Sequence, residues 1–66
     1  MVFGSFQKVR HVKTGTIYFI VGTPDKFILE KTTEGAYAYQ RYNESKSKIW
    51  IRCKTEMEDG RFVLEE

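Results

Sequence analysis

Residues 36–42 read AYAYQRY and residues 48–53 read KIWIRC, and both stretches alternate between two kinds of side chain. Successive side chains of a β-strand point to opposite faces of the sheet, so alternation of this kind predicts a strand. In the second stretch one face carries Ile49, Ile51 and Cys53, and the other carries Lys48, Trp50 and Arg52. We expect the isoleucine face to be buried, with Cys53 behaving as a small buried hydrophobe.

Further short runs of strand-forming residues lie on either side of these two. They are residues 6–12, 16–21, 26–31 and 61–64. Turn residues, chiefly glycine, proline and asparagine, separate them. No long window has helical spacing free of a breaker, although residues 55–58 suit one 3₁₀ turn. The run 16–21 is almost continuously apolar, which predicts a central strand that is covered on both faces or sharply bent.

The whole chain, residues 1–66, is therefore expected to form one all-β domain. A sheet this small must curl, since a flat one would leave its edges and an apolar face exposed. We predict a small SH3-like barrel of five to six short antiparallel strands with one 3₁₀ turn before the last. An OB-like barrel ranks second, because that fold usually needs more residues and a real helix.

Length and composition limit the kind of site that the chain can build. The sequence has 66 residues, of which 41% are hydrophobic and 30% charged, as is typical of a folded domain rather than a disordered chain. A core of this size is thin. We expect a shallow surface or groove as the interaction site, not a deep small-molecule pocket.

Cysteine and histidine are each present once, as Cys53 and His11. An intramolecular disulfide is therefore excluded, and a structural zinc site would need about four such ligands. We expect no metal and no cofactor, and the lone cysteine fits a cytoplasmic location. No stretch is apolar enough to span a membrane, and residues 1–7 lack the features of a signal peptide.

Charge is distributed unevenly along the chain. Residues 1–54 contain ten Lys or Arg and four Asp or Glu, a net charge of +6, whereas residues 55–66 contain one and five, a net charge of −4. A basic body of this kind can steer a polyanion to one side of the domain. We expect the acidic residues 55–66 to lie over the basic face of residues 1–54. The alternative is that the mixed charges only keep the protein soluble.

The spacing of several motifs resembles a family of small bacterial and phage proteins known only as a domain of unknown function. The match runs from about Val9 to Phe62. It includes the stretch RHVKTG at residues 10–15, AYAY at 36–39 and WIR at 50–52. Cys53 stands where the family usually has proline, and the turn at residues 13–15 has one additional residue. The resemblance implies an SH3-like barrel and no particular activity.

Aromatic and basic side chains form the candidate site. Tyr37, Tyr39 and Arg41 share one face of their strand, and Trp50 and Arg52 share one face of the next. Lys48 extends this set, and Arg10 and Lys13 can join it from the first hairpin. We call these eight residues the aromatic–basic stripe. In the alternative interpretation, Trp50 and Tyr37 fill one end of the core, and Arg52 pairs with Glu56 or Glu58.

The stripe suggests a binding module rather than an enzyme. Aromatic and Arg side chains dominate protein-interface hot spots, so a protein partner is expected first. Stacking faces beside cations also bind single-stranded nucleic acid, which is the second hypothesis. Catalysis ranks last because neither His11 nor Cys53 has a partner in a catalytic motif. The oligomeric state stays open, although an edge strand can pair in a homodimer.

Overall fold

The structure is a computed structural model that describes residues 2–44 and 46–65. The strands are β1 (Lys8–His11), β2 (Ile17–Gly22), β3 (Ala36–Arg41), β4 (Trp50–Cys53) and β5 (Phe62–Leu64). They form one antiparallel sheet in the order β4-β3-β2-β1-β5. The sheet curls into a half-barrel, which confirms the prediction of a small all-β, SH3-like barrel with five strands.

A short helical segment links β4 to β5, as predicted. It consists of one turn of α-helix, α1 (Lys54–Glu56), and a wide turn over Met57–Arg61. The wide turn contains Gly60, whose φ of 105° lies in the region that favours glycine. The linker therefore lets the chain leave one edge of the sheet and return to the other.

The first hairpin joins β1 to β2 through a glycine turn. The amide of Gly15 donates to the carbonyl of His11 (2.7 Å), and the amide of His11 donates to the carbonyl of Thr16 (2.9 Å). Gly15 has a φ of 76°, which explains why a residue without Cβ occupies this position.

The prediction of a strand at residues 26–31 is wrong. The only pairing among these residues is an isolated bridge between Ile28 and Gly35. The amides of Lys26 and Phe27 both donate to the carbonyl of Thr23, and the amide of Leu29 donates to the carbonyl of Glu34 in the same loop. The segment is therefore a compact loop between β2 and β3, and alternation alone does not separate such a loop from a strand.

Close contact between Phe27 and Gly22 holds this loop against the sheet. A Cβ atom added to Gly22 would lie 2.2 Å from the Phe27 ring, which no real contact permits. Gly22 also follows an irregularity in the pairing with β3, because Ile20 lies opposite Tyr39 but Gly22 lies opposite Ala38. The glycine thus provides the space that the ring occupies.

Aromatic rings fill most of the thin core. Its buried members are Phe3, Val9, Ile20, Tyr37, Tyr39, Met57 and Phe62, with Tyr18 packed against them. Edge-to-face contacts join Tyr18 to Tyr39 (5.1 Å between ring centroids) and Tyr39 to Phe62 (5.5 Å). We call the side of the sheet that faces this core the inner face, and the opposite side the outer face.

The Tyr37 hydroxyl links the core to the N-terminal residues and to the linker between β4 and β5. It donates to Glu58 Oε2 (2.6 Å) and accepts from the amide of Phe3 (3.1 Å). Glu58 Oε2 also accepts from the amide of Val2 (3.1 Å). Burial and the bond to Glu58 raise the pKa of Tyr37. Burial also tends to raise the pKa of Glu58, but its hydrogen bonds with Tyr37 and Val2 outweigh burial and hold that pKa below 4.5.

Replacement of Glu58 by Gln should reduce stability at pH 7 and weaken its dependence on acid. A carboxyl with a depressed pKa in the folded state adds stability that is fully present above its ordinary value of 4.5 and is lost as the pH falls through the folded pKa. We expect urea denaturation to show a loss of about 1 kcal/mol at pH 7, since the bond to a charged acceptor becomes neutral. The difference between variant and wild type should shrink toward pH 3.

Glu30→Gln is the matched control, because Glu30 is exposed on the β2–β3 loop. This control should keep the stability of the wild type at both pH values. An equal loss of stability for the Glu58 variant at pH 7 and at pH 3 would show that the charge of Glu58 does not contribute.

Candidate functional site

Strand β4 forms one open edge of the sheet and exposes three consecutive apolar side chains. Ile49, directly before the strand, is 57% exposed, Trp50 is 43% exposed and Ile51 is 50% exposed. We call these three residues the β4 apolar segment. Trp50 lies opposite Tyr39, so it belongs to the inner face at its open end, while Ile51 lies opposite Ala38 on the outer face.

The predicted burial of the β4 isoleucines is therefore wrong. Ile49 and Ile51 are exposed, and Cys53 is half-buried. The register places Trp50 and Arg52 on the same side as Tyr39 and Tyr37, whose large rings fill the core. The isoleucines must then face outward. In β4 the isoleucines lay on one face and the large ring of Trp50 on the other, so the pattern alone did not show which face is buried.

Tyr37 and Tyr39 are core residues and not part of an accessible surface. Tyr37 is fully buried and Tyr39 is nearly so. They do share a face with Trp50 and Arg52, as the alternation predicted, but that face is the inner one. A chain of this length has few large side chains, and it uses these two rings to fill its core.

One shallow groove brings together Trp50, Arg41 and Lys48. Its volume is about 330 Å³, and it is lined by Arg41, Glu44, Lys46, Ser47, Lys48 and Trp50. The Ser47 hydroxyl accepts from the amide of Arg41 (3.2 Å), which keeps the two sides of the groove together. Arg41 Nη1 lies 3.7 Å from Glu44 Oε2, so one acid partly offsets the positive charge. We call this site the Trp50 groove.

A second groove brings together Lys13 and Arg52. Its volume is about 620 Å³, and it is lined by His11, Val12, Lys13, Arg52, Asp59, Gly60 and Arg61. The His11 ring packs edge-on against Phe62, and its Nδ1 lies 3.0 Å from the Thr14 hydroxyl. His11 is thus held in the first turn. We call this site the Arg52 groove.

Arg52 is held tightly rather than presented freely. Its Nη1 donates to Glu56 Oε1 (3.0 Å), its Nε donates to the Tyr39 hydroxyl (3.3 Å), and it lies over the Phe62 ring at 5.6 Å. The bond to Tyr39 raises the pKa of Arg52 against the opposing effect of burial. The alternative interpretation paired Arg52 with Glu56 or Glu58, and the structure shows the pair with Glu56. Its placement of Trp50 in the core is wrong, because Trp50 is 43% exposed.

Acidic residues near the C-terminus pair with cations of the basic body, as the charge distribution predicted. Besides the pair between Arg52 and Glu56, Arg10 Nε lies 3.5 Å from Glu65 Oε1. Exposed pairs of this kind contribute little stability, but they reduce the positive charge that a polyanion meets. Glu66, the last acid of this group, lies outside the described residues.

The aromatic–basic stripe is therefore divided among four places. Tyr37 and Tyr39 lie in the core, and Arg10 is exposed beside Glu65. Trp50, Arg41 and Lys48 meet in the Trp50 groove, and Lys13 and Arg52 meet in the Arg52 groove.

A cluster of aromatic rings on the outer face was not predicted as a site. Phe19 contacts Phe6 (5.8 Å between ring centroids) and Tyr42 (6.3 Å), and Lys8 Nζ lies 4.9 Å from the Tyr42 ring centroid. The signal for it was the almost continuously apolar run at residues 16–21, which predicted a strand that is covered on both faces or sharply bent. These rings provide that cover.

Comparisons with known proteins add no relative. No family model, curated protein or solved structure matches this chain. The resemblance to the small bacterial and phage proteins stays a prediction. Within residues 2–44 and 46–65, no helix is long and apolar enough to cross a membrane. No group of three or more potential metal ligands occurs in that same part of the chain.

Substitution of Tyr39 should destabilise the fold much more than substitution of Trp50. Tyr39→Ala removes a buried ring and leaves a cavity, which should cost about 3 kcal/mol or more. Trp50→Ala removes a half-exposed ring and should cost about 1 kcal/mol. Urea denaturation followed by far-UV circular dichroism checks the ranking. A larger loss of stability for the Trp50 variant would contradict the placement of Trp50 at the open end of the inner face.

Proposed function

We propose that the protein is a non-enzymatic module that binds another protein through β4 and the Trp50 groove. The main support is the β4 apolar segment, in which Ile49, Trp50 and Ile51 are all about half-exposed on an edge strand. Soluble proteins usually blunt such edges, because an exposed apolar edge strand invites pairing. A segment of this kind is expected where a partner covers it.

The surroundings of Trp50 resemble the layout of a protein interface. Trp and Arg are the residue types most enriched among hot spots, and a polar or charged rim usually surrounds an apolar centre. Here Trp50 lies between the exposed isoleucines on one side and Arg41, Lys46 and Lys48 on the other. Cys53 is the only cysteine, and we place the module in the reducing cytoplasm.

Removal of the Trp50 side chain should weaken the binding of the partner protein. Tagged wild-type protein and Trp50→Ala are compared by quantitative mass spectrometry of proteins captured from a lysate, and captured candidates are then purified and titrated. We expect the dissociation constant to rise about tenfold or more for Trp50→Ala, as is typical of a central hot spot.

Leu64→Ala is the matched control, because Leu64 is 47% exposed on the opposite edge strand, β5. The control should bind as the wild type does. Equal affinities for wild type and Trp50→Ala, or an equal loss in both variants, would contradict binding through β4.

Binding of single-stranded nucleic acid is the second candidate function. The observation in its favour is that Arg41, Lys46 and Lys48 line the same groove as the exposed Trp50. Aromatic faces stack with bases while cations contact phosphates. Glu44 in that groove and the acidic residues paired with the body weaken this candidate.

A salt titration separates the two candidates. Three phosphate contacts to a single strand predict a slope of about −2 in log K against log salt, so affinity should fall roughly twentyfold between 50 and 200 mM salt. The single tryptophan provides the signal, because stacking on Trp50 quenches its fluorescence. Absence of quenching by a thymidine oligonucleotide at 50 mM salt would remove this candidate.

A further inference from the structure

The backbone of β4 has hydrogen-bonding groups directed away from the sheet. The amide of Lys54 donates to the carbonyl of Gly35 (2.8 Å), so these two residues form a hydrogen-bonded pair. Such pairs alternate along an antiparallel ladder, and the register places Arg52 opposite Tyr37 two residues away. The backbone N–H and C=O groups of Arg52 therefore bond to β3. Those of Ile51 point away from the sheet.

The amide of Cys53 points in the same outward direction by the same alternation. Among the described residues, no side chain and no backbone group outside the sheet bonds to the amide of Ile51 or of Cys53. Ile51 is also half-exposed. The edge of β4 thus offers at least three main-chain groups to a strand that arrives from outside.

The charge around this edge determines which strand can pair with it. Residues 46–54 contain four cations and no acid. Arg52 and Lys54 pair with Glu56 and Glu58, so among the described residues the positive charge without an acidic partner is that of Lys46 and Lys48. A second copy of the chain would place this positive edge against itself, and like charges opposite each other are destabilising. A partner strand with acidic side chains meets complementary charge instead. The other edge, β5, has Glu65 beside it and does not favour an acidic segment.

The two faces of β4 also differ in chemistry. Trp50 and Arg52 lie on the inner side, and Ile51 lies on the outer side. Directly before the strand, Lys48 lines the Trp50 groove and Ile49 is exposed. A strand beside β4 places its own alternate side chains next to these two sets. The complementary strand has acidic residues on one face and apolar residues on the other.

We infer, as a refinement that rests on the proposed function, that β4 binds its partner by strand addition. The ligand is an extended protein segment in which acidic and apolar residues alternate. Its backbone bonds to the outward groups of Ile51 and Cys53. Its apolar side chains cover Ile49 and Ile51, and its acidic side chains lie beside Lys48.

Synthetic peptides test this mode without altering the protein. The probe is an eight-residue peptide of alternating Glu and Val, and the controls are a Lys/Val peptide and a Glu/Val peptide with the same composition in blocks. Binding is followed by Trp50 fluorescence and by ¹⁵N chemical shifts. We expect the alternating acidic peptide to bind and to protect the amides of Ile51 and Cys53 from hydrogen exchange. Neither control should do so.

Two N-methylated versions of the peptide distinguish strand addition from simple side-chain docking. One is methylated on the amides of alternate residues, and the other on the remaining amides. In strand addition only one set faces β4, so one peptide should lose affinity about tenfold or more and the other should bind nearly as before. Equal affinities of the two versions would overturn strand addition.

The same measurements separate this inference from the proposed function. A natural partner that requires Trp50 but gives no exchange protection of Ile51 would leave protein binding in place and overturn strand addition. Failure of all the peptides to bind would also overturn strand addition. The proposed function of protein binding is tested separately, by the comparison of wild type and Trp50→Ala in the lysate. A homodimer that Ile51→Lys dissociates would show that the occupant of the edge is a second copy instead.

Discussion

The curl of the sheet around a layer of aromatic rings is the constraint on which the rest of the structure depends. Tyr18, Tyr39 and Phe62 come from three different strands and meet edge to face inside the half-barrel. A chain of 66 residues buries little surface, so large rings have to supply volume that longer chains obtain from many aliphatic residues. The phenol groups then need polar partners. Tyr37 obtains one from Glu58 and Tyr39 obtains one from Arg52.

This arrangement also explains why the candidate site lies at the rim. The inner face is continuous from Tyr37 to Arg41, but only its open end is accessible. Trp50 lies opposite Tyr39 at that end, where the sheet no longer closes over it. The proposed binding surface is therefore an extension of the core, and Trp50 lies on the same face of the sheet as the rings that stabilise the fold.

Much of the fold was accessible from the sequence, because alternation and turn residues are local signals. Strands β1 to β5, the glycine turn at Gly15 and the helical segment before β5 were all expected. The strand expected at residues 26–31 was not found, since its amides bond to nearby carbonyls. That choice depends on how Phe27 packs on Gly22, and no pattern within the segment encodes such a tertiary contact.

The candidate site was predicted less well, because it depends on which face of each strand is buried. The sequence correctly placed Tyr37, Tyr39, Trp50 and Arg52 on one face. It did not show that this face was the inner one, since tyrosine and tryptophan suit both a core and a binding surface. The exposed isoleucines of β4 were consequently assigned to the core. Curvature of the sheet, which arises from all five strands together, settles this question.

The pairing of β1 with β5 has a consequence for how the protein folds during synthesis. Val9 lies opposite Leu64. Strand β1 therefore cannot pair with β5, its second neighbour in the sheet, until residues more than fifty positions further along the chain have been synthesised. Met57 and Phe62, two members of the core, also emerge late. Long-range contacts of this kind delay folding until both ends of the loop are available. On the ribosome, the four earlier strands can form a meander, but the core stays incomplete until β5 has left the exit tunnel.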